Sequence, residues 1–278
     1  MITDKTHQCQ EGPQFLSLEE GILPKGADPF FTTRRGGAGL GGYKGFNLGQ
    51  NVGDDPALVL QNRRALVRHL GHLLVQDDLD HLCLVRQVHG SKTIIAAPGQ
   101  PVVEADALVT REPGVAIGIL TADCAPVLFY DPKARVVGAA HAGWRGALSG
   151  ILESCIDAMV SQGARTQNIR AIIGPAIRPP NYEVDHKFFL EFRRNHLQNG
   201  LVCDVEKFFL FLANEDRFQF NLPQYIKERL HERGVPQEGI SDVKMCTFQN
   251  SESFFSYRRS SKSGEGQCGR QLGGIVLS

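Results

Sequence analysis

Three side chains in this sequence could share one chemistry. His89 stands in RQVHG, Cys124 in TADC and His141 in HAGWRG. Each lies at the end of an apolar, strand-like run, beside small or polar residues, and strand ends feeding loops are where sites are built. Imidazole and thiolate suit zinc, and three protein ligands with an open fourth position make the catalytic arrangement. Structural zinc sites usually show closely spaced ligand pairs. Here the ligands are far apart, so the fold would have to assemble them. The same atoms also permit Cys124 as a nucleophile with His141 as its base. They permit no chemistry as well: two hydrogen-bonded histidines and a buried thiol.

Carboxylates lie nearby in sequence. Asp123 precedes Cys124, but neighbours on an extended chain point to opposite faces. The two share a site only if the chain turns there. Asp106, in EADALVT, is either a second acidic candidate or a turn residue at a strand start. Anion binding has its own candidates. GWRG opens the helix after His141, and helix starts attract anions, while Arg145 adds a guanidinium fork. Arg63 is a further basic candidate. Arg258, Arg259, Lys262 and Arg270 cluster near the C-terminus. RRGGAGLGGYKG is glycine-rich but lacks GK[ST] and the GxGxxG context, so it reads as a mobile surface loop or lid. Cys9, Cys83, Cys155, Cys203, Cys246 and Cys268 have no His at a telling spacing. The histidines at 69, 72, 81, 186, 196 and 231 read as surface residues.

The elements that must position these groups follow from periodicity and caps. DDPALVLQNRRALVRHLG reads as a helix with Asp55 as N-cap, Pro56 at its first position and Gly71 at its end. HLCLVRQVHG, KTIIAA, ADALVT, VAIGIL, PVLFYD and VVGAAH read as strands. One long helix should follow HAGWRG, with Leu148, Ile151, Leu152, Cys155, Ile156, Met159 and Val160 as its apolar stripe. IRAIIG reads as a buried strand. DHKFFLEFRRNH and NLPQYIKERLHERG read as amphipathic helices, the second capped by Asn221 and stopped by Gly234. VKMCTF, SFFSYRR and GGIVL should be closing strands around the loop RRSSKSGEGQCGR. Strand blocks followed by helix blocks point to α+β with layered sheets. Strict βαβ alternation is absent, which argues against a Rossmann-type fold.

The whole chain limits the partners. Its 278 residues, 42% apolar, suffice for a large core, and no repeat or linker divides them. One domain over 1–278, with a polar extension at about 1–13, is expected. Zero formal net charge gives no case for nucleic acid or an anionic membrane. Apolar runs are strand-sized, and no apolar h-region follows the first Met. Seven cysteines without a CxxC pair suit a reducing compartment, so a cytoplasmic protein, monomer or homodimer, is expected.

FTTRRGG, NLG, VGDDP…NR, QVHG, ADALVT, TADCAPV, HAGWRG, GPAI, YEV and CTF…FFSYRR…GR occur in order from about Phe31 to Arg270. In these motifs the chain resembles the purine nucleoside phosphorylase family long described as polyphenol oxidase or laccase-domain proteins. The resemblance implies a zinc site on His89, Cys124 and His141. It implies a layered α/β/β/α sandwich related to the cysteine-hydrolase fold of certain deamidating toxins. It also implies phosphorolysis of adenosine, inosine, guanosine and methylthioadenosine, and hydrolytic deamination of adenosine. Asn47, Arg63, Arg145 and Arg258 would then contact nucleoside or phosphate. Asp106 or Asp123 would serve as acid/base, because the HxE…PCxxC signature of zinc nucleobase deaminases is missing. A Cys124–His141 amide hydrolase, for example on a cell-wall precursor, is the first alternative. Copper at the trio is another, although a four-copper oxidase needs on the order of ten His ligands and the chain has nine histidines in all. A binding protein with a structural metal would lack a fourth ligand. One departure stands out: the family commonly has Thr before the final Gly-Arg, where this chain has Cys268.

Overall fold

The computed structural model describes residues 12–199, 203–212 and 216–278. Cys9 and most of the polar N-terminal extension lie outside the described residues. In chain order the elements are β1 (Ala27–Phe31), α1 (Pro56–Leu70), β2 (Leu82–Cys83), β3 (Thr93–Ile95), β4 (Ala107–Thr110), β5 (Ala116–Thr121), β6 (Ala125–Asp131) and β7 (Val136–Ala142). Then come α2 (Trp144–Leu148), α3 (Ile151–Ser161), β8 (Arg170–Ile173), β9 (Glu183–Asp185), α4 (His186–Gln198), β10 (Phe209–Leu212) and β11 (Arg217–Phe220). α5 (Leu222–Glu232), β12 (Ile240–Asp242), α6 (Tyr257–Lys262) and β13 (Gln271–Leu277) complete the chain. This is a mixed α+β fold. A six-stranded sheet runs β12-β8-β6-β7-β4-β3, a four-stranded sheet β1-β13-β5-β2, and a three-stranded sheet β10-β11-β9.

Strands β5, β6, β7 and β13 are buried almost without interruption, because apolar side chains cover both faces. Leu108, Leu128, Val137 and Ala139 of the six-stranded sheet meet Ile117, Ile119, Ile275 and Leu277 of the four-stranded sheet in one core. Val127, Phe129 and Ala140, pointing the other way, pack with Ile151, Cys155, Met159 and Ile226 of α3 and α5. Leu66, Val67 and Leu70 of α1 pack with Ala116, Leu272 and Val276. The α1 caps follow the sequence: Asp55 accepts from the Ala57 amide, and Pro56 opens the helix. Asn221 caps α5 through Gln224.

Several sequence expectations change. The long helix after His141 is two helices, because Gly150 takes a left-handed φ of +91° between them. The chain turns there so that α3 can lie flat on β7. VKMCTF forms no strand; the parallel pairing on β8 is made just before it, by Ile240–Asp242. SFFSYRR is not a strand either. Ser256 caps a helix at its Arg259 amide, so Arg258 and Arg259 ride on α6. Two of the histidines read as surface residues are buried, His81 and His196. His196 Nε2 also lies 3.7 Å from Cys203 Sγ, so that cysteine does have a histidine neighbour.

The β6–β7 hairpin sets the register of the site. Its turn is tied by Asp131, fully buried, which accepts from the amides of Lys133, Ala134 and, across a crossover, Arg165. That register pairs Ala125 with Ala142 and Pro126 with His141, so Cys124 arrives next to His141. Replacing Asp131 by Ala removes the shared acceptor of three part-buried amides and should cost about 3 kcal/mol in urea unfolding. A loss below about 1 kcal/mol would show that the turn holds without it.

Candidate functional site

His141 ends β7, Cys124 lies in the link between β5 and β6, and His89 lies in the loop after β2. All three come together. One ligand atom from each lies within 4.8 Å of the others, and this is the only such His/Cys/acid cluster among the described residues. The Cys124 Sγ to His89 Nε2 distance is 3.9 Å, and the two imidazoles meet edge to face at 4.7 Å.

Two non-glycine residues hold left-handed backbone to achieve this: His89 at φ +60° and Asp123 at φ +92°. Such conformations are costly and persist only where surroundings impose them. At Asp123 the turn removes the alternation problem, and Asp123 and Cys124 both face the same cavity. At His89 the surroundings are Asp106. Its carboxylate accepts from the amides of Val88 (3.1 Å), His89 (2.9 Å) and Gly90 (2.8 Å). It also accepts from His141 Nδ1 at 2.8 Å. A carboxylate in this setting is an acceptor, so Nδ1 carries the proton and Nε2 is left for the site. Gln87 ties the same loop to β5, donating to the Leu120 carbonyl and accepting from its amide.

Electrostatics follow from this packing. Burial pushes the Cys124 thiol up, but His141 and then His89 outweigh it and bring it down to about 6. Burial pulls His141 down, but Cys124 and Asp106 outweigh it and lift it to about 9. Burial also raises Asp106, yet His141 and the loop amides hold it below the usual carboxylate range. Without a metal, these two directions favour a thiolate–imidazolium pair at neutral pH. Gly143 leaves room for it: a Cβ there would meet Cys124 Sγ at 2.8 Å and His89 Cδ2 at 3.2 Å.

The trio fits a metal. Two imidazoles and a thiolate are a zinc donor set, and a carboxylate behind one imidazole is the usual supporting contact. A tetrahedral zinc ion separates its S and N ligands by about 3.5 Å, close to the 3.9 Å found here.

The trio lines a cavity of about 550 Å³, together with Trp144, Tyr182, Arg63, Arg145, Arg258 and Arg270. Arg63 is half-buried; burial pulls it down to about 10, and its Nε and one terminal nitrogen donate to the Leu48 carbonyl. Arg145 stacks over Trp144 at 4.6 Å. Arg258 lies over Tyr182 at 5.3 Å and donates to the Glu183 carbonyl. The five-residue α2 is too short to act as an anion site through its dipole, so any anion attraction there comes from Arg145.

Asn47 and Asp106 lie away from the cavity, and Asp123 lines it while also holding a neighbouring helix. Asn47 is fully buried and does not line the cavity; it accepts from the amides of Gly49 and Arg270 and donates to Asp54. Asp106 is fully buried with four hydrogen bonds, so it acts on His141 and the His89 loop rather than on a substrate. Asp123 accepts from the Thr247 hydroxyl and the Arg258 amide, each at 2.6 Å, and so anchors the start of α6. The glycine-rich loop does not line the cavity; Asn62 pins it through the Ala38 amide and the Gly45 carbonyl. Sequence reasoning passes over Gln87, Thr121, Tyr182 and Thr247. All four lie inside or beside quoted motifs, but their residue types alone signal no chemistry.

Fold and cavity describe a scaffold that holds a His–Cys–His centre at the rim of its sheets. Residues 28–278 match the family model described as "Multi-copper polyphenol oxidoreductase laccase", and the chain belongs to this family. It is 39% identical to "Purine nucleoside phosphorylase" of Deinococcus radiodurans over 89% of this chain and 88% of that protein. It is 32% identical to "Adenosine deaminase RL5" from an unknown prokaryotic organism, over 84% and 89% of the two chains. Among solved structures, YlmD from Geobacillus stearothermophilus superposes with a TM-score of 0.83 at 29% identity, covering 96% of this chain and 97% of that one.

Two outcomes test the site. Asp106→Asn should lower zinc affinity by about 10- to 100-fold, measured by competition with a chromophoric chelator; unchanged affinity would leave Asp106 no part in the centre. In chelator-stripped protein, Cys124 should alkylate with a midpoint near pH 6, with reactivity present above it and lost below. Cys83 and Cys203, which burial lifts to about 11, should stay unreactive at neutral pH. A Cys124 midpoint near the ordinary thiol value, read by peptide mass spectrometry, would rule out the ion pair.

Proposed function

We propose that this protein is a purine-nucleoside enzyme with zinc at His89, Cys124 and His141. It would carry out phosphorolysis of adenosine, inosine, guanosine and methylthioadenosine, and hydrolytic deamination of adenosine. One observation carries the reading: the trio opens into a cavity of nucleoside size ringed by arginines. Arg63, Arg145, Arg258 and Arg270 form no ion pair with a carboxylate among the described residues. The relatives named for purine phosphorolysis and adenosine deamination support the substrate class.

A bound zinc ion would supply Lewis-acid activation of water or of a substrate oxygen. The remaining contributions belong to the chain. Asp106 fixes the His141 tautomer and holds the His89 loop, so the donor atoms are preorganised. The arginines offer charge-assisted hydrogen bonds to phosphate, and Trp144 and Tyr182 offer aromatic faces at the wall. Asp106 is fully buried with four internal hydrogen bonds and is not the proton shuttle; Asp123, which lines the cavity while anchoring α6, stays the candidate of the two.

The layered α/β/β/α reading is supported by the three cores, one between the two larger sheets and one outside each. The kinship with the cysteine-hydrolase fold of certain deamidating toxins is what the family resemblance implies, and we read the chain as a single domain. No helix among the described residues is long and apolar enough to cross a membrane. Six free cysteines without a disulfide among those residues suit our cytoplasmic reading.

A second reading has an observation in its favour. Cys124 lowered to about 6, His141 raised to about 9 and Asp106 on Nδ1 form a Cys–His–Asp array, which suits an amide hydrolase. Copper, the metal of the family description, would meet the same donors. Metal-defined protein should convert adenosine to inosine without phosphate, and to adenine and ribose 1-phosphate with it. Cys124→Ala should lose metal and both activities, by at least about 10³-fold. Full activity of that variant would end the zinc reading. Inhibition by a thiol reagent but not by a chelator would favour the hydrolase.

A further inference from the structure

The cavity wall carries two hydroxyls that no protein group satisfies. Thr121, at the end of β5, is 2% exposed and its Oγ1 has no partner. Tyr182 is 9% exposed; its ring is wedged against Phe220 at 5.5 Å and Phe188 at 6.4 Å. Its hydroxyl makes no hydrogen bond among the described residues. The hydroxyl oxygen is not itself sealed off; the residue lines the cavity, so this donor is open to whatever enters there.

Charge decides what that is. Arg258 and Arg145 both act electrostatically on the Tyr182 hydroxyl, as do Cys124 and Asp123. Asp123 is engaged by Thr247 and the Arg258 amide, one hydrogen bond to each carboxylate oxygen. The two cations are far less engaged. Arg145 uses none of its five N–H donors on protein acceptors among the described residues, and Arg258 uses only the one on the Glu183 carbonyl. The arginines toward Gly49 differ. Arg63 spends two nitrogens on the Leu48 carbonyl. Arg270 spends one on the carbonyls of Cys268 and Gly269 and on Cys268 Sγ.

We propose that Arg145, Arg258 and the Tyr182 hydroxyl form an oxyanion seat beside Cys124, and that inorganic phosphate is its ligand. The proposal rests on the purine-nucleoside reading and locates its second substrate. Two guanidinium forks supply charge and in-plane donors, and the phenol supplies a third donor from a fixed ring. Tyr182 is then a direct phosphate contact that neither Arg63 nor the start of α2 replaces.

Calorimetric titration of zinc-loaded full-length protein with inorganic phosphate tests this. Tyr182→Phe should raise the phosphate Kd fivefold or more, and Arg145→Gln tenfold or more, with zinc content unchanged. Arg63→Gln should have the smallest effect of the three. A rise below fivefold in a folded Tyr182→Phe protein, or a larger effect from Arg63→Gln, would overturn the seat. Should Tyr182→Phe not fold, Arg145→Gln decides alone, since that side chain is exposed. Undetectable phosphate binding by the wild type would also overturn it. The readout needs no nucleoside, so failure of the purine reading in product analysis stays distinguishable from failure of the seat.

Discussion

Asp106 carries more of this structure than its single carboxylate suggests. Its two oxygens accept from three successive amides of the His89 loop and from His141 Nδ1. The residue has no solvent exposure. Left without those donors, a buried carboxylate would be costly; with them it ties a loop and a strand end into one body. The left-handed backbone of His89 is tolerated because Asp106 takes the amides on both sides of it. Register completes the arrangement. β4 pairs with β7 so that Ala107 faces Ala140, and the His141 amide donates to the Asp106 carbonyl at 2.7 Å. Backbone and side chain of Asp106 therefore both hold His141.

The other half of the centre depends on the β6–β7 hairpin and on Asp123. Asp131 locks the hairpin turn, which fixes where Cys124 emerges beside His141. Asp123 then bends the chain through a left-handed turn and passes its carboxylate to Thr247 and to the start of α6. That second tie brings Arg258 over Tyr182 at the cavity wall. Asp106 and Asp123 thus act alike on opposite sides of the cavity. Each holds a neighbour through its carboxylate, and the groups with most donor or acceptor capacity left for a ligand are the trio, Arg145, Arg258 and two hydroxyls.

Much of the fold is legible in the sequence where local physics is strong. The α1 boundaries follow from Asp55 and Pro56, and the α5 start follows from Asn221. The buried strands β5, β6, β7 and β13 follow from continuous apolar runs. The misreadings have physical causes. Helical periodicity runs straight through Gly150, because the apolar stripe resumes in phase after the turn. SFFSYRR looks like a strand by aromatic content, but the Ser256 cap and the Asp123 tether make its second half helical. His196 reads as a surface residue because amphipathic spacing does not reveal that Cys203 folds back over it.

The sequence by itself singled out the three residues that the fold brings together. His89, Cys124 and His141 stand out by type and by position at strand ends, and the motifs around them place the chain in its family. It also determined the apolar segments that build the sheets. Only the tertiary structure decided what each acid does. Asp106 is indistinguishable from a catalytic carboxylate until its four hydrogen bonds, one of them to His141 35 residues away, are seen, and nothing local shows that Asp123 ties to Thr247, 124 residues away. It likewise removed Asn47 from the cavity and brought Tyr182 to it. The reason is common to all of these. Residue type sets what a side chain can donate or accept, but long-range packing sets which partners have already claimed it.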